Sequence, residues 1–141
     1  MTFIEHPILE KFKYIKEEEQ RLLRQCGWYF HGVIGVGYHT HGLPEYYNHK
    51  DIEIALWLEG HVGSDLFWGA VDLIKEGITF EPVKKYDRIV KNYDVVFTES
   101  WEGGREVLRM ILPDRFGNLT RETMVGSMAG QWDTPKPDGE G

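Results

Sequence analysis

Apolar residues recur at helical spacing through the first 26 positions. Ile8, Phe12, Ile15, Leu22 and Cys26 fall three, four or seven apart, with Lys11, Lys13, Glu17, Glu18 and Arg21 on the other faces. This predicts an N-terminal amphipathic helix of about five or six turns. Pro7 suits its first turn and Gly27 the position just past its end, while Glu17 and Arg21 stand at the stabilising acid-before-base spacing. The period then changes from helical to extended. Residues 28–36 (WYFHGVIGV) are aromatic, β-branched and glycine-rich, and predict a strand whose glycines mark a bulge or a close backbone approach. Residues 51–58 (DIEIALWL) alternate through Ile52, Ile54 and Leu56 as a half-buried strand does.

Helical spacing returns over 62–76. Val62, Leu66, Ala70 and Ile74 form one row that Phe67, Val71 and Leu73 widen, and Gly77 supplies the stop. Ser64 and Asp65 read as caps at its start. Short strands are expected near 79–82 and 86–90, a longer one over 93–100, and another over 105–112 (REVLRMIL) before a tight turn at Pro113-Asp114-Arg115-Phe116-Gly117-Asn118. Between the first two strands, residues 37–50 (GYHTHGLPEYYNHK) predict a long loop dense in glycine, histidine and tyrosine. The sum is an α+β fold: one domain over 1–132 on a largely antiparallel sheet, with disorder expected for 133–141.

Length and composition agree with a single domain. The chain has 141 residues, 41% hydrophobic and 28% charged, which is enough to bury a core without disulfides or metal staples. The net charge of −7 argues against binding nucleic acid by phosphate neutralisation. The charge is uneven: residues 28–81 hold two lysines against eight acids, whereas 1–27 balance and 82–120 sit at +1. A single cysteine, Cys26, cannot form an internal bridge or a multi-thiolate zinc site, and suits a reducing compartment. No apolar run approaches a membrane span, and no basic segment followed by an apolar one marks a secretory signal. A cytoplasmic location is therefore expected.

Four segments in order carry a family resemblance. Val33-Ile34-Gly35-Val36 resembles a glycine-containing strand, and His49-Lys50-Asp51-Ile52-Glu53-Ile54 a His-Pro-Glu/Asp-Leu strand opening. Asp72-Leu73-Ile74-Lys75-Glu76-Gly77 with Phe80-Glu81-Pro82 is similar to a helix, glycine and extended segment, and Leu112-Pro113-Asp114-Arg115-Phe116-Gly117 to a Trp-Pro-Asp-Arg-x-Gly turn. Over roughly 27–120 the chain thus resembles the bacterial and phage "domain of unknown function 4262" family. Lys50 replaces the family's usual proline, and the Pro-Trp ending after the turn is absent. The resemblance implies a fold and a phage or bacterial setting, including a host-modulating, counter-defence role. It implies no reaction and no catalytic residue.

Among candidate chemical groups, histidines lead. His39, His41 and His49 fall within eleven residues, with Glu45 and Asp51 beside them. A His-x-His pair on an extended segment puts both rings on one side, and two imidazoles with a carboxylate suit zinc or non-haem iron. No HExxH pattern supplies a third ligand, and a polar loop that hydrogen-bonds its own backbone explains the same residues. His49 and Asp51 could also orient each other at a strand start, with Glu53 facing the same way, or simply cap it. The Gly32–Gly37 run is not a dinucleotide fingerprint, since no helix follows it. Cys26 with His31 nearby is a weak thiol pair, and a buried small hydrophobe describes it better.

Tyr38, Tyr46 and Tyr47 lie in the same polar segment, where tyrosine gives contact area at low entropy cost. The sequence therefore predicts a binding module that meets another protein through the 38–50 loop and the adjacent acidic 51–65 surface, with Tyr38, His39, His41, Glu45, Tyr46, Tyr47, His49, Asp51 and Glu53 as the contact residues. The alternative is a metal-dependent enzyme or a small-ligand or nucleotide binder centred on His39, His41 and His49. Arg88, Lys91, Arg105 and Arg109 are the only cations available to a nucleotide. No cofactor motif is present and none is expected, no membrane association is expected, and pairing through an edge strand would give a homodimer.

Overall fold

The helix predicted from the first apolar row runs Pro7–Cys26 (α1). Gly27 ends it in the left-handed conformation, φ +79, its amide returning to the Leu23 carbonyl at 3.0 Å. Residues 7–33 and 37–133 are described by this computed structural model. The remainder of the predicted 28–36 strand and nearly all of the expected disordered tail lie outside them. Two short strands follow α1: β1 (Tyr29–Val33) and β2 (Gly37–His41). A five-residue helix, α2 (Leu43–Tyr47), leads to β3 (Asp51–Ile54).

The expected 37–50 loop is thus a strand and a helix. Its alternate positions hide the strand from a hydropathy pattern, because one face carries Tyr38 and Thr40 and the other His39 and His41. Two glycines make the fold of this segment possible. A Cβ on Gly37 would stand 2.0 Å from the Ile54 carbonyl oxygen. One on Gly42 (φ +103) would stand 2.6 Å from the Gly27 oxygen, so the chain turns from β2 into α2 pressed against the end of α1.

The second long helix, α3, spans Gly60–Lys75. It starts two residues earlier than predicted, so Ser64 and Asp65 lie in its second turn and cap nothing; Glu59 holds the N-cap position without a side-chain bond. Leu66, Phe67, Ala70, Val71, Leu73 and Ile74 are buried, while Val62 overhangs the first turn, exposed. The chain then forms β4 (Tyr86–Val90), β5 (Tyr93–Glu102) and β6 (Arg105–Ile111), and a 3-10 helix covers Gly126–Asp133. No strand forms over 79–82. Phe80 is buried there, but Val83 turns left-handed at φ 71 to send its amide to the Phe97 carbonyl.

The result is one α+β domain on a curled six-stranded sheet of order β1-β2-β3-β6-β5-β4, antiparallel except for β3 against β6. The period-two alternation of side chains gives the sheet two unlike faces. One face presents Tyr38, Ile52, Ile54, Leu108, Met110, Val95 and Phe97 to α3 and forms the main core with Trp28 and Phe80. The opposite face has only a small apolar cluster, Val96, Ile111 and Met124, covered by Leu119, Met128 and Trp132. Apart from the buried Val107, the rest of that second face is polar, and the candidate site lies there.

Candidate functional site

The hairpin register builds the site. In β1 against β2, His31 pairs directly with His39 and Tyr29 with His41. His39 and His41, two residues apart on one strand, share a face as their spacing predicts. Three imidazoles are thereby gathered: ring centroids are 4.1 Å apart for His31–His39, 4.7 Å for His31–His41 and 5.0 Å for His39–His41. One ligand-capable ring nitrogen from each lies within 4.8 Å of the others. Tyr29 stacks on His41 with centroids 5.2 Å apart and planes 22° from parallel.

Charged groups ring the cluster. On α1, Glu19 reaches the Nδ1 of His31 at 3.1 Å. On the far side, Glu102 Oε1 stands 3.4 Å from His39 Nε2. The other Glu102 oxygen accepts from Arg105 Nε at 2.6 Å. Arg105 also binds Asp51 and donates to the Thr40 carbonyl at 2.7 Å. One guanidinium at the start of β6 thus touches β2, β3 and the end of β5, which the curl of the sheet makes possible. Around the rings, three carboxylates (Glu19, Glu102, Asp51) face one cation (Arg105), leaving two negative charges in excess when all are ionised.

Two of the imidazoles, His39 and His41, are held neutral. Burial pushes both His39 and His41 down to about 4, because a buried ring loses the water that would solvate its cation. His31 adds to the fall at His39, and Arg105 followed by His31 adds to it at His41. Nε2 of His41 is buried and has no hydrogen-bond partner among the described residues. Burial, then Glu19, raises the Tyr29 phenol, which keeps it protonated. Burial would raise Glu102, yet Arg105 and His39 carry it below the ordinary carboxylate range. Burial lifts Asp51 against the pull of Thr40 and Arg105.

Not all residues singled out in the sequence belong here. His49 is spent on the backbone: Nε2 accepts from the Phe80 amide at 3.1 Å and Nδ1 donates to the Lys50 carbonyl at 2.7 Å. It has neither nitrogen left for a metal and does not orient Asp51. Asp51 instead accepts from Thr40 Oγ1 at 2.8 Å and the Leu43 amide at 3.2 Å, besides Arg105. Glu53 binds Arg109 Nε at 2.6 Å, and Arg109 also holds Ser100 Oγ and the Gln131 carbonyl. Tyr38 is buried, its hydroxyl on the Leu58 carbonyl, and Tyr47 donates to the Cys26 carbonyl at 2.6 Å.

Of the nine predicted contact residues, Glu45 and Tyr46 on α2 are the exposed ones. The predicted acidic surface at Asp51 and Glu53 is a pair of inward-facing ion pairs. The four cations do not converge on a nucleotide: Arg105 and Arg109 are committed to those ion pairs, and Arg88 holds Glu76. Cys26 is half-buried against the core, while His31 turns to Glu19 rather than to the thiol. The member of the cluster that sequence reasoning missed is His31. Pairing residues 29–33 against 37–41 would have found it, since that register sets 31 opposite 39.

No helix among the described residues is long and apolar enough to cross a membrane. No family model matches the chain, and neither a curated protein nor a solved structure is significantly similar to it.

Proposed function

We propose that this protein binds a divalent first-row transition-metal ion, zinc foremost, through His31, His39 and His41. The observation that carries the reading is the convergence of three imidazole nitrogens within 4.8 Å. Tetrahedral bonds of about 2.0–2.1 Å put ligand atoms about 3.4 Å apart, so the rings close by about 1.4 Å at most to grip an ion. Neutral rings are what a cation requires, since binding must otherwise displace protons. The excess negative charge around the rings suits a dication. Imidazole donors favour zinc, copper, nickel or iron over magnesium or calcium.

Three protein ligands leave a fourth position for water, the arrangement of catalytic rather than structural zinc. The activity class this supports is hydrolysis or hydration by metal-bound water; the ion would lower the pKa of that water toward neutrality. Within the chain, Glu102 orients His39 and Arg105 holds Glu102, so the cluster keeps its shape. The test is titration of chelator-stripped protein with zinc by calorimetry, with elemental analysis of the product. One ion per chain at micromolar zinc, lost in His39→Ala and His41→Ala and retained in His49→Gln, is expected. Absence of stoichiometric binding, or binding indifferent to those two substitutions, overturns the proposal.

A further inference from the structure

Among the described residues, the helix α1 enters the site through Glu19. Leu23 and Cys26 anchor its last turn, where Leu23 lies against the Gly42 turn and the Cys26 carbonyl accepts from Tyr47. Glu19, one to two turns earlier, crosses to β1 and takes His31 Nδ1 at 3.1 Å. Its side chain is 21% exposed and that of His31 37%. The His31 ring is far more exposed than that of His39, which is 8% exposed, and a solvated imidazole exchanges its proton freely between its two nitrogens. An acceptor fixed at Nδ1 removes that freedom. The proton stays at Nδ1, and Nε2 presents its lone pair.

Resting on the metal-site reading above, we infer that Glu19 is the positioning residue of the site, and that ion binding in turn clamps α1 to the sheet. The physical reason is reciprocal. A carboxylate behind a ligating histidine fixes its tautomer and raises its basicity. A cation on Nε2 polarises the ring and makes Nδ1–H a stronger donor to that carboxylate. Whatever free energy Glu19 adds to metal binding, the metal must return to the docking of Glu19. Besides Glu19, the contacts described for this helix lie in its last turn, at Leu23 and Cys26, so residues 16–22 are the segment that responds. Metal occupancy is thereby reported at the helix surface, outside the ring cluster.

Two measurements on the full chain test this. The first is zinc affinity, by competition with a chromophoric chelator, for the wild type, Glu19→Ala, Glu19→Gln and Glu17→Ala. Removing such a carboxylate costs roughly 10–100-fold in affinity. Glu19→Ala is therefore expected to weaken zinc by that factor, with partial rescue in Glu19→Gln, which keeps an acceptor oxygen. Glu17→Ala, with the same loss of charge on the same helix, stays near wild type. The second is amide hydrogen exchange over residues 16–26 with and without zinc. Exchange is expected to slow about tenfold or more on zinc binding in the wild type and to be unchanged by zinc in Glu19→Ala.

Wild-type protein that takes up zinc while Glu19→Ala matches it in affinity overturns this inference and leaves the metal site standing. An equal loss in Glu17→Ala and Glu19→Ala also overturns it, because that loss reports charge alone. Wild-type protein that takes up no zinc overturns the site reading and this inference with it.

Discussion

Lowering the pH should unfold this protein through His39 and His41 before its carboxylates matter. In the folded chain both rings are held to about 4; in the unfolded chain each reverts to about 6.5. As pH falls through 6.5 the unfolded state takes up protons that the folded state refuses, so stability is lost from about pH 6.5 downward until the folded rings also titrate near pH 4. For His39, which is 7% exposed, the fall to about 4 corresponds to about 3 kcal/mol, most of which is already lost at pH 4.5. His41 adds less, because it is only half-buried and water screens it. The total of about 3–6 kcal/mol is a large part of the 5–15 kcal/mol that holds a typical domain.

The assay is urea unfolding of metal-free protein at half-unit steps from pH 7.5 to 4.5, beside the His39→Gln/His41→Gln double variant. Glutamine keeps a polar side chain in each place and cannot titrate. Wild-type stability should fall by about 3 kcal/mol over that range, or about 10 °C in Tm, with most of the loss below pH 6. The double variant should lose less, since the groups that remain to titrate, among them His49, whose pKa burial also lowers, and the carboxylates, are common to both proteins. Parallel pH profiles for the two proteins would refute the burial argument. Saturating zinc should raise the wild-type stability by mass action without removing the slope, because the unfolded rings still take up protons that the metal-bound rings refuse.

Three further outcomes follow from the packing. Gly37→Ala should destabilise the fold by more than about 3 kcal/mol, because its Cβ would meet the Ile54 carbonyl oxygen at 2.0 Å and backbone must move; a Tm within 2–3 °C of wild type would contradict this. Arg109→Ala should cost about 3–5 kcal/mol by leaving Glu53 buried without its partner, and Glu53→Gln in the same chain should restore part of it, as a double-mutant cycle in urea would show. Val83 sits at φ 71 with its side chain 80% exposed. Val83→Asn should therefore stabilise by about 1 kcal/mol by relieving left-handed strain, read as a rise in the urea midpoint with unchanged slope.

Much of the architecture was legible along the chain because its signals are local. The apolar rows of α1 and α3, Pro7, and the stops at Gly27 and Gly77 act within one or two turns, and the helices lie close to where those signals place them. The alternation in Ile52 and Ile54 and the turn at Asp114 are equally short-range: Asp114 accepts from the amides of Phe116 and Asn118, both at 2.9 Å. The strand at β2 escaped because its inward side carries Tyr38 and Thr40 and its other side histidines, which imitates the composition of a loop. Parity on β2 was enough to put His39 and His41 on one face.

The third histidine of the cluster, and the reason His49 is not part of it, depended on tertiary structure. His31 reaches the site through strand pairing, and His49 leaves it through the amide of Phe80, 31 residues away. Asp51 and Glu53 read as an acidic surface because their partners, Arg105 and Arg109, are 54 and 56 residues distant. A buried charge is tolerated only beside its counter-charge, and the parallel pairing of β3 with β6 supplies both. That pairing turned a run of surface acids into the rigid wall of a histidine cluster, and no local pattern encodes which strand lies next to which.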